Sequence, residues 1–207
     1  YSEYAMVDLD YFYFSLPLCV GGDLMYHLHA PEAEHGGFFS EELSLFYATE
    51  ILLGLAHMHA LGILYRDVKP ETVMVTTEGM VKLMDFGLAR ALQQSPDSIS
   101  VVMGTPLYMS PEQVQVFELD QRSDIFSLGI VAYEFLLGQK PFQGDNIRAL
   151  AKDIQFGKPK DPCQLDANFP RKLQQLLAKM LKKNPVNRYS STTEIVTDID
   201  EYLLAAT

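Results

Sequence analysis

Three ionisable side chains near the middle of the sequence sit where a reaction could use them. Asp67 and Lys69 lie two apart in Tyr65-Arg66-Asp67-Val68-Lys69-Pro70-Glu71-Thr72, and Asp85 opens Asp85-Phe86-Gly87, thirteen residues beyond Thr72. A carboxylate can take a proton from a hydroxyl or hold a hard cation through oxygen; an ammonium can offset negative charge on a reacting group. Each also has a plain structural use, since aspartates cap loops and lysines are ordinarily solvated. His57 and His59 are two apart on a helical stretch and face different ways, so no metal pair is expected from them. Two cysteines, Cys19 and Cys163, are too few for a disulfide framework and suit a reducing compartment. A small buried apolar side chain accounts for Cys19 as well as a reactive role does.

The elements that must carry these residues can be read from pattern. Tyr11 to Leu16 is aromatic and β-prone, and Pro17 ends it. Gly21-Gly22-Asp23 marks a turn, with Asp23 placed to cap a short helix over Leu24–His29. Ser40 is an N-cap for a largely buried helix reaching about Leu61, with Glu41 and Glu42 in the first turn where the dipole favours acids. Short apolar runs follow at Ile63–Tyr65, Val73–Val75 and Val81–Met84, the last two joined by a Thr76-Thr77-Glu78-Gly79 turn. Leu88 to Pro111 shows no periodicity. Leu128, Val131, Ala132, Phe135 and Leu136 predict a helix ended by Gly138; Leu173, Leu176, Leu177, Met180 and Leu181 predict another, and Ile195, Ile199, Tyr202 and Leu203 a last one. The apolar stretch Ile125 to Leu137 is too short for a bilayer span, which takes about 20 residues, and reads as a buried helix.

The ordered set Arg66-Asp67-x-Lys69-Pro70-Glu71, Asp85-Phe86-Gly87, Gly104-Thr105-Pro106-x-Tyr108-Met109-Ser110-Pro111-Glu112, Asp124-x-x-Ser127-Leu128-Gly129, Pro141-Phe142 and Arg188 resembles the C-terminal lobe of eukaryotic protein kinases of serine/threonine type. Tyr65 in place of the usual His, with Gly21-Gly22-Asp23-Leu24 upstream, is most similar to the group of cyclic-AMP-dependent kinase and the G-protein-coupled receptor kinases. The resemblance implies a kinase-like α+β fold, a mainly helical C-lobe with a small β-hairpin patch. Residues 1–18 then correspond to N-lobe strands and the entry to the hinge, 65–72 to the catalytic loop and 85–112 to the activation segment. It implies ATP and Mg²⁺. Asp67 would orient the acceptor hydroxyl and take its proton, Lys69 would stabilise the transferring group, and Asp85 would hold Mg²⁺ against the phosphates. Leu16 falls on the gatekeeper, Pro17 and Cys19 on the adenine-contacting hinge, Asp23 on the ribose contact and Met74 beneath the base. Phe86 and Gly87 complete the metal-binding motif, Asp124 anchors the catalytic loop, and Glu112 pairs with Arg188.

Thr72 departs from the pattern, which has Asn there as a ligand to a second Mg²⁺; a shorter, branched side chain predicts a weakened second metal site. Asp23, Glu71 and Glu134 fall on positions that in basophilic kinases bind arginines before the acceptor, so protein substrates basic upstream of Ser or Thr are expected. An isolated helix acid such as Glu134 is also a common structural partner. Val102, Met103 and Met109 suggest an apolar pocket for the residue after the acceptor. Arg66 invites an anion, and a phosphorylated Ser100 could supply it and order the segment.

With 16 Lys and Arg against 27 Asp and Glu, the chain carries −11, which argues against sequence-independent nucleic-acid binding. The first 65 residues hold no Lys or Arg. No lysine is therefore present to grip the α and β phosphates from the N-lobe, and no Gly-x-Gly occurs. The expectation is a cytoplasmic kinase fragment without a transmembrane segment, its N-lobe lying elsewhere in the full chain and the 207 residues inactive alone. The competing reading is a truncated or pseudokinase-type binding or scaffold module; retained Asp67, Lys69 and Asp85 argue for the enzyme.

Overall fold

Helix α4 (Gln121–Leu137) is the axis around which the other elements pack. Asp120 caps it by accepting the Arg122 amide, and Gly138 ends it at φ 66, where a Cβ would be strained. Every residue from Ser123 to Phe135 is buried. A helix apolar on all sides must be enclosed on all sides. The computed structural model describes residues 4–8, 11–15, 18–29, 37–91 and 106–206.

Helix α1 (Leu24–His29) begins where Asp23 accepts the Tyr26 amide at 2.7 Å, and α2 (Glu41–Ala60) where Ser40 accepts the Leu43 amide at 3.2 Å. Helix α2 lies against α4 and against the last helix, α8 (Thr192–Ala206). Between them come α3 (Pro111–Val114), α5 (Ile147–Phe156), α6 (Pro162–Leu165) and α7 (Arg171–Met180). Helix α7 meets α4 at Gly129, where a Cβ would come 3.0 Å from that of Met180. Ile51, Leu55, Leu128, Leu173, Leu177, Ile195 and Ile199 form part of one core, each worth about 1.5–3 kcal/mol of burial.

The strands form antiparallel pairs. β1 (Tyr4–Val7) pairs with β2 (Phe12–Ser15), β3 (Ile63–Leu64) with β6 (Arg90–Ala91), and β4 (Val73–Val75) with β5 (Val81–Leu83), Met74 opposite Lys82. The turn before α1 is stitched to β4: Asp23 bridges Met74, and the Val75 amide donates to Gly22 O at 2.8 Å. A Cβ on Gly21 would fall 2.3 Å from Val75 O, so only glycine permits this approach.

The expected helices are present as Leu24–His29, Glu41–Ala60, Gln121–Leu137, Arg171–Met180 and Thr192–Ala206, and so is the hairpin of Val73–Val75 and Val81–Leu83. Helices α3, α5 and α6 are additions, as is strand β6, which lies within the stretch from Leu88 to Pro111 read as a loop. The elements match the expected mostly helical body with small β-pairs. Among the described residues no helix is long and apolar enough to cross a membrane.

Candidate active site

The loop from Tyr65 to Thr72 hangs from α4 by one carboxylate. Asp124, 1% exposed, accepts the Arg66 amide on Oδ1 at 2.7 Å and the Tyr65 amide on Oδ2 at 3.0 Å. His59 from the end of α2 joins Oδ2 through Nε2 at 2.8 Å. Arg66 sits at φ 65, a left-handed conformation that non-glycine residues seldom take, and two successive amides reach one acid. Its carbonyl accepts from Gln113 Nε2 at 2.9 Å and its Nε donates to Leu88 O. Burial, and then the charge of Arg90, lower the Arg66 pKa from its ordinary value.

Inside the loop, Lys69 Nζ lies 2.8 Å from Asp67 Oδ2, with the lysine side chain 33% and the aspartate 19% exposed. Oδ1 of Asp67 accepts no hydrogen bond among the described residues. Thr72 is buried; its hydroxyl is 2.8 Å from Asp67 O and 3.0 Å from Lys69 O, so its proton braces the loop from within. Thr72 closes a 3-10 turn begun by Pro70, and Glu71 is exposed at its middle.

Tyr65 ties this loop to the second acid. Its hydroxyl donates to Met84 O, the residue before Asp85, and lies 3.4 Å from Thr72 O; its ring meets Phe86 edge-on at 5.7 Å. Burial pushes the phenol pKa up, and the charges of Asp67, Asp85 and Asp124 add to that. Asp85 is itself left-handed, at φ 58, and exposed. Its Oδ1 accepts the Gly87 amide at 3.3 Å, and a Cβ on Gly87 would stand 3.1 Å from that oxygen. Oδ2 accepts nothing among the described residues. No group of three His, Cys, Asp or Glu able to hold a metal alone occurs among them. An exposed carboxylate with an open oxygen suits Mg²⁺, which keeps few protein ligands and shares the rest with phosphates and water.

Met109 is half-buried just before Ser110, which forms a reciprocal capping box with Gln113. Glu112 and Arg188 are buried and bidentate, at 2.6 and 2.8 Å. Ser123 Oγ donates to Glu112 Oε1 at 2.8 Å, while Arg188 also reaches the carbonyls of Lys182, Arg122 and Lys183. Burial raises the Glu112 pKa, but Arg188 and these donors outweigh it and hold the carboxyl below its usual range. Glu134 is engaged on both oxygens. It is 4% exposed, with Oε2 taking the Tyr108 hydroxyl at 2.7 Å and Oε1 taking Lys140 Nζ at 2.5 Å. Cys19 is half-buried and free, as are Asp23 and Met74 half-buried at their shared bridge. Leu16, Pro17, Ser100, Val102 and Met103 lie outside the described residues.

The profile described as "Protein kinase domain" matches residues 2–199. The chain belongs to the protein kinase domain family. It is 38% identical over 167 residues to a probable serine/threonine-protein kinase of Clostridium perfringens, covering 80% of this chain and 24% of that one. The serine/threonine-protein kinase PknB of Mycolicibacterium smegmatis is 41% identical over 150 residues, 71% of this chain and 24% of that one. Nek3 of Mus musculus, also a serine/threonine-protein kinase, is 38% identical over 183 residues, 88% and 35%. The chain thus spans about a quarter of the length of the first of these curated relatives. Protein kinases as a family use ATP, a divalent cation and protein acceptors.

Sequence reasoning missed His59, the hydroxyl of Tyr65, Gln113 and Lys140. For His59 a signal existed: it lies four residues after Leu55, which is fully buried, and so continues the inward face of α2. The others act across folds of the chain that no local pattern marks.

Proposed function

We propose that this chain is the catalytic-loop and substrate-side part of a serine/threonine protein kinase that moves the γ-phosphoryl group of ATP to a Ser or Thr hydroxyl on proteins. The observation that carries the proposal is the Asp67–Lys69 pair, held 2.8 Å apart in a loop fixed by Asp124, with Asp67 Oδ1 open. The acceptor oxygen bonds to the γ-phosphorus as the bond to the β-phosphate oxygen breaks, and the hydroxyl proton goes to Asp67 Oδ1. Lys69, leaving its contact with Oδ2, meets the charge on the transferring group. Asp85 would hold Mg²⁺, which when bound neutralises the phosphate oxygens. Because the Thr72 proton points into the loop and the side chain is buried, a second ion would find a weak ligand there. A scaffold would not need Asp67, Lys69 and Asp85 together.

Asp23, half-buried, and Glu71, exposed, support a preference for substrates basic upstream of the acceptor. The narrower likeness to the cyclic-AMP-dependent kinase group rests on Tyr65 and on Gly21 to Leu24. A cytoplasmic setting is supported by two free cysteines, Cys19 and Cys163. In the complete protein, Asp67→Asn should lower kcat by about 10²–10⁴-fold with ATP binding retained, the range expected for a lost general base. Phosphotransfer at the wild-type rate by that variant would refute the assignment.

A further inference from the structure

Lys140 reaches Glu134 because the chain turns back at its left-handed Gly138, which lies between them at the end of α4. The ammonium sits 2.5 Å from Glu134 Oε1 and 5.0 Å from the centre of the Tyr108 ring, whose hydroxyl donates to Oε2 at 2.7 Å. One carboxylate therefore meets one internal cation and one phenol, with both oxygens engaged. The Glu134 side chain is 5% exposed and that of Lys140 20%, so the acid is the more deeply buried member of the pair.

Tyr108 relates this cluster to the catalytic loop: its phenol pKa is raised by burial first, then by Glu134, and further by the charge of Glu71, the exposed acid of that loop. A basic substrate residue approaching the Glu134 carboxylate would meet the Lys140 ammonium already in place.

We propose that Lys140 is a specificity-determining residue: its ammonium occupies the Glu134 subsite from within and closes it to arginine or lysine of a bound protein substrate. Selection of basic substrates then falls to Asp23 and Glu71. This rests on the kinase reading above. A like charge placed against an occupied pair is how wrong partners are refused. Without the ammonium, Glu134 would be a nearly buried acid with one phenol donor, open to a cation from outside.

The test uses the complete protein and synthetic peptides in which the acceptor is alanine and a single arginine is walked through the upstream positions. Affinity is read by fluorescence anisotropy, so no phosphotransfer is needed. Lys140→Met should gain about tenfold in affinity at one arginine position. Lys140→Arg should show no gain, and adding Glu134→Gln to Lys140→Met should abolish it. Equal arginine profiles for Lys140→Met and wild type would overturn the proposal. Should Lys140→Met not fold, Glu134→Gln alone decides, since glutamine can still accept from Tyr108. Closure by Lys140 requires the wild-type arginine profile to survive that change, and loss of an arginine preference would overturn it. Phosphotransfer to the serine versions of these peptides reports separately on the kinase reading.

Discussion

The segment from Asp85 to Glu112 is held at its two ends in opposite ways. At the first end, Asp85 is exposed, left-handed and bonded to the Gly87 amide at 3.3 Å, and Phe86 is 51% exposed. At the second, Ser110 and Gln113 cap each other, Gln113 reaches back to Arg66 O, and Glu112 is locked to a fully enclosed Arg188. On the proposed kinase reading, the end that would accept a cation and its phosphates keeps open oxygens, while the end at Glu112 is welded to the core. On that reading, chemistry and stability rest on different acids.

That contrast can be broken most severely at the firm end. Arg188→Ala should cost about 3–5 kcal/mol in urea unfolding, because it strands the Glu112 charge in the interior. The sign with pH follows. Folding holds the Glu112 carboxyl below its ordinary 4.5, so its contribution is present above that pH and lost as acid is added through the lower folded value. Arg188→Ala should flatten that acid loss, and unfolding curves from pH 7 downward would detect it. A smaller loss, about 1 kcal/mol, is expected for Ser110→Ala, measured the same way, since it removes one cap of a short helix.

The firm end also contains a strained joint. Val116 follows α3 at φ 57, where its Cβ branching is unfavourable, while its amide and that of Phe117 close the helix end on Gln113 O and Glu112 O. Val116→Gly should raise stability by up to about 1 kcal/mol; a loss would mean that the 51% exposed side chain has a packing role. At the loose end, Asp85→Asn should move the unfolding midpoint least, within about 0.5 kcal/mol, whatever it does to activity. A large stability change there would erase the difference between the ends.

Much of this was legible beforehand, for identifiable reasons. Helices α4, α7 and α8 announce themselves by apolar spacing, and α1 and α2 by their caps Asp23 and Ser40. Helix α5 was hidden because only Leu150 and Ile154 are buried within it. Helices α3 and α6 are four residues long, opened by Ser110-Pro111 and Asp161-Pro162, too brief for a period to show. The loop acids and Asp124 could be placed by their resemblance to kinase motifs, whereas Lys140 and Gln113 could not. Nothing near Gln113 in sequence indicates a partner at Arg66, and the Glu134–Lys140 contact depends on the reversal at Gly138.

Asp124 has a further consequence through time. Hydrogen bonds in surface loops ordinarily open by local motion, but the Tyr65 and Arg66 amides end on a carboxylate within a fully enclosed stretch of α4. Separating them means disturbing that helix or breaking a bond no water can easily replace. The backbone beside Asp67 therefore inherits the lifetime of the interior, and the aspartate proposed as the base stays in register for as long as the surrounding helices stay folded.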